Sequence, residues 1–268
     1  MTDKPYANAD VEAAAIEVRR EFSDAFSNLD RYLRDELAKL NRDGQILTSD
    51  TFNIQRIREI VGNLQAAADA AGYGQAIDGQ SSRVLALADS ILKEAGDSGL
   101  PVQFTKTTGE GIQALLQGIH HEALAGETKL AADLERLLVR SAVGGTTWSD
   151  LIANLKNILD GNERQATTAA MNALASFHTI VRTRHFEDAG VEWFLYDGPA
   201  DDLNRPFCEH FVGTRVTSDI LDRHSEDFKR NDPMPASVSL GGFNCRHELV
   251  PLTEPSLLEQ YPVGPEVG

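Results

Sequence analysis

Apolar residues recur along the first part of the chain in steps of three and four. Between positions 15 and 40 they fall at Ala15, Val18, Phe22, Phe26, Leu29, Leu33, Leu37 and Leu40, with steps of 3, 4, 4, 3, 4, 4 and 3. This is an eleven-residue repeat with a mean period of roughly 3.67, which suits a straight or slightly right-handed packing rather than a left-handed heptad coil. The spacing predicts one long helix over residues 8–41, capped by Asn8 or Asp10. Arg19, Arg20, Asp30 and Arg34 take the other face. A helix facing the core of its own domain is the plainer reading of the stripe, and an intermolecular seam is the alternative.

The same period continues in shorter blocks. Asn41 to Gly44 reads as a turn, and a second helix starts near Ser49-Asp50 with Ile54, Ile57, Val61 and Leu64 on one stripe. Gly72-Tyr73-Gly74 reads as a break before a third helix over 81–95, with Val84, Leu87 and Ile91 inward. A fourth helix follows Thr108 with Ile112, Leu115, Leu116 and Ile119, and a fifth starts at Gly126-Glu127. A sixth, capped by Thr147 or Ser149, runs through Leu151, Leu155, Ile158 and Leu159 to a stop at Gly161. The last long helix covers 162–188, with Ala166, Ala170, Ala173, Phe177 and Ile180 or Val181 inward.

After Gly190 the pattern changes. Residues 191–196 read as a strand followed by a turn at Asp197-Gly198-Pro199. Thr217 reads as the cap of a short helix, 231–236 as a loop and 243–249 as a second strand. The fold class expected is mainly α: an elongated helical N-terminal region followed by a small α+β C-terminal domain. The expected division is a helical scaffold or docking region over 1–161, a domain over 162–252 and an extended tail over 253–268.

Composition agrees with that class. A hydrophobic share of 41% and a charged share of 25% are globular values, and an aromatic share of only 7% favours helix over sheet. The formal net charge of −16 repels phosphate backbones at long range, so direct contact with DNA is not expected without a basic patch. The strongest basic cluster is Arg182, Arg184 and His185. No segment reads as a membrane span or signal peptide, so assembly in the cytoplasm is expected.

Both cysteines lie in the C-terminal part, and each precedes a histidine by two positions: Cys208 with His210, and Cys245 with His247. In an extended strand such pairs share a face. Two such claws brought together offer two sulfurs and two nitrogens, a tetrahedral zinc set. A disulfide and two unlinked thiols are the alternatives, and all three place Cys208 near Cys245. His120 and His121 point about 100° apart on a helix and cannot share an ion. Arg205 precedes Pro206, which holds it extended, and an ion pair with Asp201 or Asp202 is expected to pin its loop. Gly241-Gly242 permits a close backbone approach. The chain has no phosphate loop, nucleophile elbow or dinucleotide fingerprint.

One ordered set stands out: Tyr196-x-Gly198-Pro199, then Arg205-Pro206-x-Cys208, then Gly213, then Asn244-Cys245-Arg246-His247, with Asp201 in the loop before Arg205. Over about residues 165–252 it resembles the C-terminal domain of tailed-bacteriophage minor head proteins, the phage Mu F-like head morphogenesis family. Arg182-Thr183-Arg184 resembles the family's helix motif. Arg184 stands where the family often has Glu, Asn204 where it has Thr, and His247 where many members have a last Cys.

The resemblance implies a virion structural protein of the phage head, associated with portal or capsid in several copies. Its role there would be in head assembly and in DNA packaging or ejection, with no enzymatic activity and no membrane partner. The competing readings are a metal-dependent hydrolase or nuclease built on the Cys/His constellation, and a plain helical adaptor.

Overall fold

The structure is a computed structural model that describes residues 8–144, 146–225, 227–228, 234–242 and 245–265. It is mainly α, with a small sheet and short helices toward the C-terminus. The long helices are α1 (Ala9–Leu37), α4 (Tyr73–Asp97), α5 (Lys106–Gly144) and α6 (Trp148–Asp188), with short α2 (Thr51–Gly62) and α3 (Leu64–Ala71) between the first two. A small hairpin, β1 (Arg42–Asp43) and β2 (Ile46–Leu47), follows α1. The C-terminal part runs β3 (Phe194–Asp197), α7 (Pro206–Phe211), β4 (Arg215–Val216), α8 (Ser218–Arg223), α9 (Ala236–Ser239), β5 (Glu248–Pro251) and α10 (Pro255–Leu258).

The chain forms two compact units, and both are discontinuous in sequence. One takes residues 1–16, 82–117 and 171–268; the other takes 17–81 and 118–170. Neither unit is one of the contiguous segments 1–161, 162–252 or 253–268, because each long helix contributes residues to both.

The stripe on α1 is buried throughout, from Ala15 and Val18 to Leu37 and Leu40. Asn8 is its cap: Oδ1 accepts from the backbone N–H groups of Asp10 and Val11 at 3.0 and 3.1 Å. On α2 the buried line is Asn53, Ile57 and Ile60, one residue around from the expected Ile54, Ile57 and Val61. The cause is Asn53. Its amide donates to Asn41 O at 2.9 Å and Thr48 O at 2.8 Å and accepts from Asn41 N–H at 2.7 Å, which fastens the β-hairpin. A buried side chain with every polar atom bonded sits at little cost, so a polar residue takes a core position that periodicity reserves for an apolar one.

Of three glycine breaks expected from sequence, one is present and two are absent. Gly72 does end α3 in the left-handed region at φ +103°, but α4 resumes at Tyr73, well before residue 81. Gly126 and Gly161 lie inside the continuous helices α5 and α6. A helical glycine costs only about 1 kcal/mol relative to alanine, and the buried leucines on either side outweigh it. At Gly126 a Cβ would stand 3.3 Å from the Tyr73 hydroxyl, so the missing side chain admits that ring.

In the unit that holds the C-terminal residues, the sheet order is β4-β3-β5, antiparallel throughout. The strands fall slightly later than expected, and β4 was not anticipated at all. Thr217 caps α8 through a bond from Ile220 N–H, as its sequence suggested. The tail is not simply extended: α10 precedes a stretch in which Val263 bridges to Arg215 beside β4. Phe194 and Tyr196 point inward from the central strand and are fully buried. Arg182 on α6 ties this sheet to the helices. It donates to Glu94 Oε2 at 2.8 Å, to Glu248 Oε2 at 2.7 Å and to Leu249 O at 2.7 Å. Arg182 and His185 are both buried, so the basic cluster of the sequence is not a surface patch.

Candidate metal centre

The β3–β5 ladder pairs Tyr196 with Leu249 and Asp197 with Glu248. One step further along that register Gly198 meets His247. A Cβ on Gly198 would fall 2.5 Å from His247 Cδ2, and its φ is +152°, so only glycine lets the imidazole lie there. His247 is buried, and its Nε2 lies 3.1 Å from Pro199 O. A carbonyl only accepts, so Nε2 carries the proton, and in the neutral ring Nδ1 keeps its lone pair. Nδ1 faces Cys245 Sγ at 3.6 Å.

Cys208 arrives from the other side. Arg205 is extended (φ −80°, ψ 155°) and Pro206 opens α7, which buries Phe207, Cys208 and Phe211. The two sulfurs are 3.8 Å apart as separate thiols, which meets the expected proximity. His210 does not join them. Two residues along a helix turn a side chain by about 200°, so His210 leaves on the opposite face. Its ring lies against His224 and Phe228, at centroid distances of 5.6 and 5.0 Å. The expected four-residue set thus contracts to Cys208, Cys245 and His247, whose donor atoms all lie within 4.8 Å of one another. Cys245 and His247 come together on the irregular segment that leads from a turn at Gly242 into β5; the claw at Cys208 and His210 fails because its segment is helical.

Described residues of the ordered motif support this nest. The Tyr196 hydroxyl donates to Cys208 Sγ at 3.4 Å and stands 3.9 Å from Cys245 Sγ. Gly241 N–H donates to Cys245 Sγ at 3.3 Å, and a Cβ there would lie 2.3 Å from Cys208 Sγ. Arg205 Nη1 donates to Gly241 O at 2.7 Å and holds that backbone against the sulfurs. Asp201 takes Arg246 in a two-pronged pair at 2.7 and 3.0 Å, a partner the sequence did not suggest. Asn204 Nδ2 donates to Pro199 O at 2.7 Å, the same carbonyl that fixes His247. Asn244 lies outside the described residues.

The electrostatics are those of a shared proton site. The hydrogen bond from the Cys208 thiol holds Cys245 well below the usual thiol range, against the opposing effect of burial. Cys208 moves the opposite way, because its proton is held by Cys245, it is buried, and it faces the neighbouring negative sulfur. Burial drives Tyr196 far above the ordinary phenol value, so its hydroxyl stays a donor.

Two of the three donor separations match a tetrahedral ion, and the third lies within 4.8 Å. With Zn–S of about 2.3 Å and Zn–N of about 2.0–2.1 Å, tetrahedral edges come to about 3.8 Å for S···S and about 3.6 Å for S···N. The observed separations are 3.8 Å for Cys208–Cys245 and 3.6 Å for Cys245–His247. A histidine whose other nitrogen donates to a backbone carbonyl is the usual arrangement at such ions. This group can therefore hold a metal. A cavity of about 40 Å³ bordered by Cys245, His247, Asn172, Ser176, Thr179 and Ser239 has room for about one water beside it.

No protein-family model, curated protein or solved structure matches the chain. Among the described residues no helix is long and apolar enough to cross a membrane.

Proposed function

We propose that the chain is a structural minor head protein of a tailed-bacteriophage virion, associated with portal or inner capsid and acting in head assembly and DNA packaging or ejection. One observation carries this reading. Tyr196, Gly198, Pro199, Asp201, Arg205, Pro206, Cys208, Cys245, Arg246 and His247, described residues behind the family resemblance, meet in one knot around the buried Tyr196, Cys208 and His247. They are used in bracing one another, which is the work of a structural domain. Within the knot a zinc ion on Cys208, Cys245 and His247 would cross-link α7 to the segment entering β5, with the neighbouring cavity able to supply a water as fourth ligand.

A site with three protein ligands and one open position is also the pattern of a catalytic zinc, which favours a hydrolase as the second reading. Against it, none of the described residues that line the adjoining cavity is a carboxylate, so no general base stands beside the open position. We expect no turnover of DNA or peptide.

Co-expression with the portal protein of the same phage tests the first reading. Co-migration of the two through a density gradient supports it. A chain that stays apart from portal and capsid shells, and hydrolyses DNA or peptide in a reaction lost on Cys208→Ser, overturns it. For the metal, elemental analysis should find close to one zinc per chain and none in Cys208→Ser. Wild-type protein purified without chelator and free of metal contradicts the zinc assignment.

A further inference from the structure

A second site lies in the other compact unit, on helices α1, α3 and α5, far along the sequence from the cysteines. Leu29, Leu64, Ala68, Leu130 and Leu134 wall a pocket of about 170 Å³. An apolar cavity of roughly 150 Å³ is enough to take a six-carbon ring, so this one admits a ligand of about six heavy atoms. Glu127 also lines it, and is only 9% exposed. Its Oε1 is buried with no hydrogen-bond partner.

Neither protonation state satisfies that carboxyl. Oε1 has no donor and no countercharge as a carboxylate oxygen and no acceptor as a hydroxyl, although Gln65 and Thr128 also line the pocket. The nearby hydroxyl of Thr128 is already committed to Leu124 O at 3.1 Å. Lys129, next in sequence, turns away to Asp133 at 3.0 Å and Asn162 at 3.2 Å. No lysine, arginine or histidine is among the described residues lining the pocket. The charges that face Glu127 are of its own sign. Burial raises its pKa, and the Asp69 carboxylate raises it further. Tyr73 is pushed up to about 12 by burial and by Glu127. A buried acid with an unused oxygen, a second acid nearby and an apolar wall call for one kind of guest: a cationic N–H donor on a short alkyl stem.

We propose that this pocket binds an alkylammonium or alkylguanidinium group, with the stem between Leu64 and Leu130 and the cation on Glu127. The source is either a free amine or a lysine or arginine side chain of a partner. Nothing in this site depends on the metal centre or on the virion reading.

Titration of the full chain with n-butylammonium, followed by backbone amide shifts, tests it. Saturable binding at millimolar concentration is expected, about tenfold tighter than for n-butanol, which has the same stem without the charge. Glu127→Gln keeps the shape and should erase that tenfold preference. Ala131→Phe, which fills the pocket, should remove binding of both probes while the far-ultraviolet dichroism stays helical. N-acetyl-lysine methylamide separates the sources. Binding comparable to butylammonium assigns the pocket to a partner's side chain, and binding of butylammonium alone assigns it to a free amine. Absence of saturable ammonium binding, or equal binding to the Glu127→Gln variant, overturns the proposal.

Discussion

Glycine separates the residues that build the nest from those that merely lie in helices. At Gly241 a Cβ would press on Cys208 Sγ at 2.3 Å and Cys245 Sγ at 3.2 Å, and both neighbours are fixed. Gly241→Ala is expected to cost about 1–3 kcal/mol in urea unfolding, the usual range for overpacking. Gly161 has no atom within 4 Å of its Cβ position and sits inside α6, so Gly161→Ala should raise stability by up to about 1 kcal/mol. An equal response from the two variants would mean that the sulfurs are not packed against Gly241.

Much of the nest was legible at this scale. The paired Cys-x-His spacing suggested that Cys208 and Cys245 would meet, and Cys245 and His247 do come together, though just ahead of the strand rather than on it. His210 was misplaced because residue spacing specifies a shared face only once the secondary structure is known, and Pro206 starts a helix there. The pairing of Arg246 with Asp201 and of Arg205 with Gly241 O depends on a register that local spacing does not contain.

On the scale of elements, two of the buried ionisable groups on α6, Arg182 and His178, have energetics with opposite uses. Arg182 joins α4 to β5 through Glu94 and Glu248. Arg182→Met leaves Glu248 buried without its cation and should cost about 3–5 kcal/mol, with much of the loss recovered by adding Glu248→Gln. A double variant no better than the single one would show that packing, not charge, is what Arg182 provides. One turn earlier, burial lowers the His178 pKa to about 3, with the Arg182 charge adding to the effect.

For His178 the unfolded chain binds a proton near pH 6.5 and the folded chain does not until about pH 3. Stability therefore falls as pH drops through that window, by about 1.4 kcal/mol per pH unit at most. His178→Gln should flatten the slope, and an unchanged slope would place the acid sensitivity elsewhere. Helix stripes were legible for α1 and for the 81–95 part of α4 because the buried residues there are all apolar. They shifted on α2 because Asn53 meets its hydrogen bonds inside the core, and glycines looked like stops because their local cost is visible in sequence while the compensating burial is not.

At the scale of the whole molecule, the mainly α class followed from periodicity and low aromatic content, and the structure has that class. The discontinuous units were not legible, since contacts between residues far apart in sequence decide them. The acidic charge and the burial of Arg182 and His185 leave the described residues without the basic surface a DNA reader needs, so salt-dependent DNA binding should be absent in a filter or anisotropy assay. The proposed role then rests on protein contacts inside a particle. Quantitative mass spectrometry of gradient-purified phage particles tests this most directly. A fixed ratio of this chain to the major capsid protein, the same in repeated preparations and undiminished by protease treatment of intact heads, is the predicted result. Particles that lack the chain, with all of it left in the soluble fraction of the lysate, would contradict it.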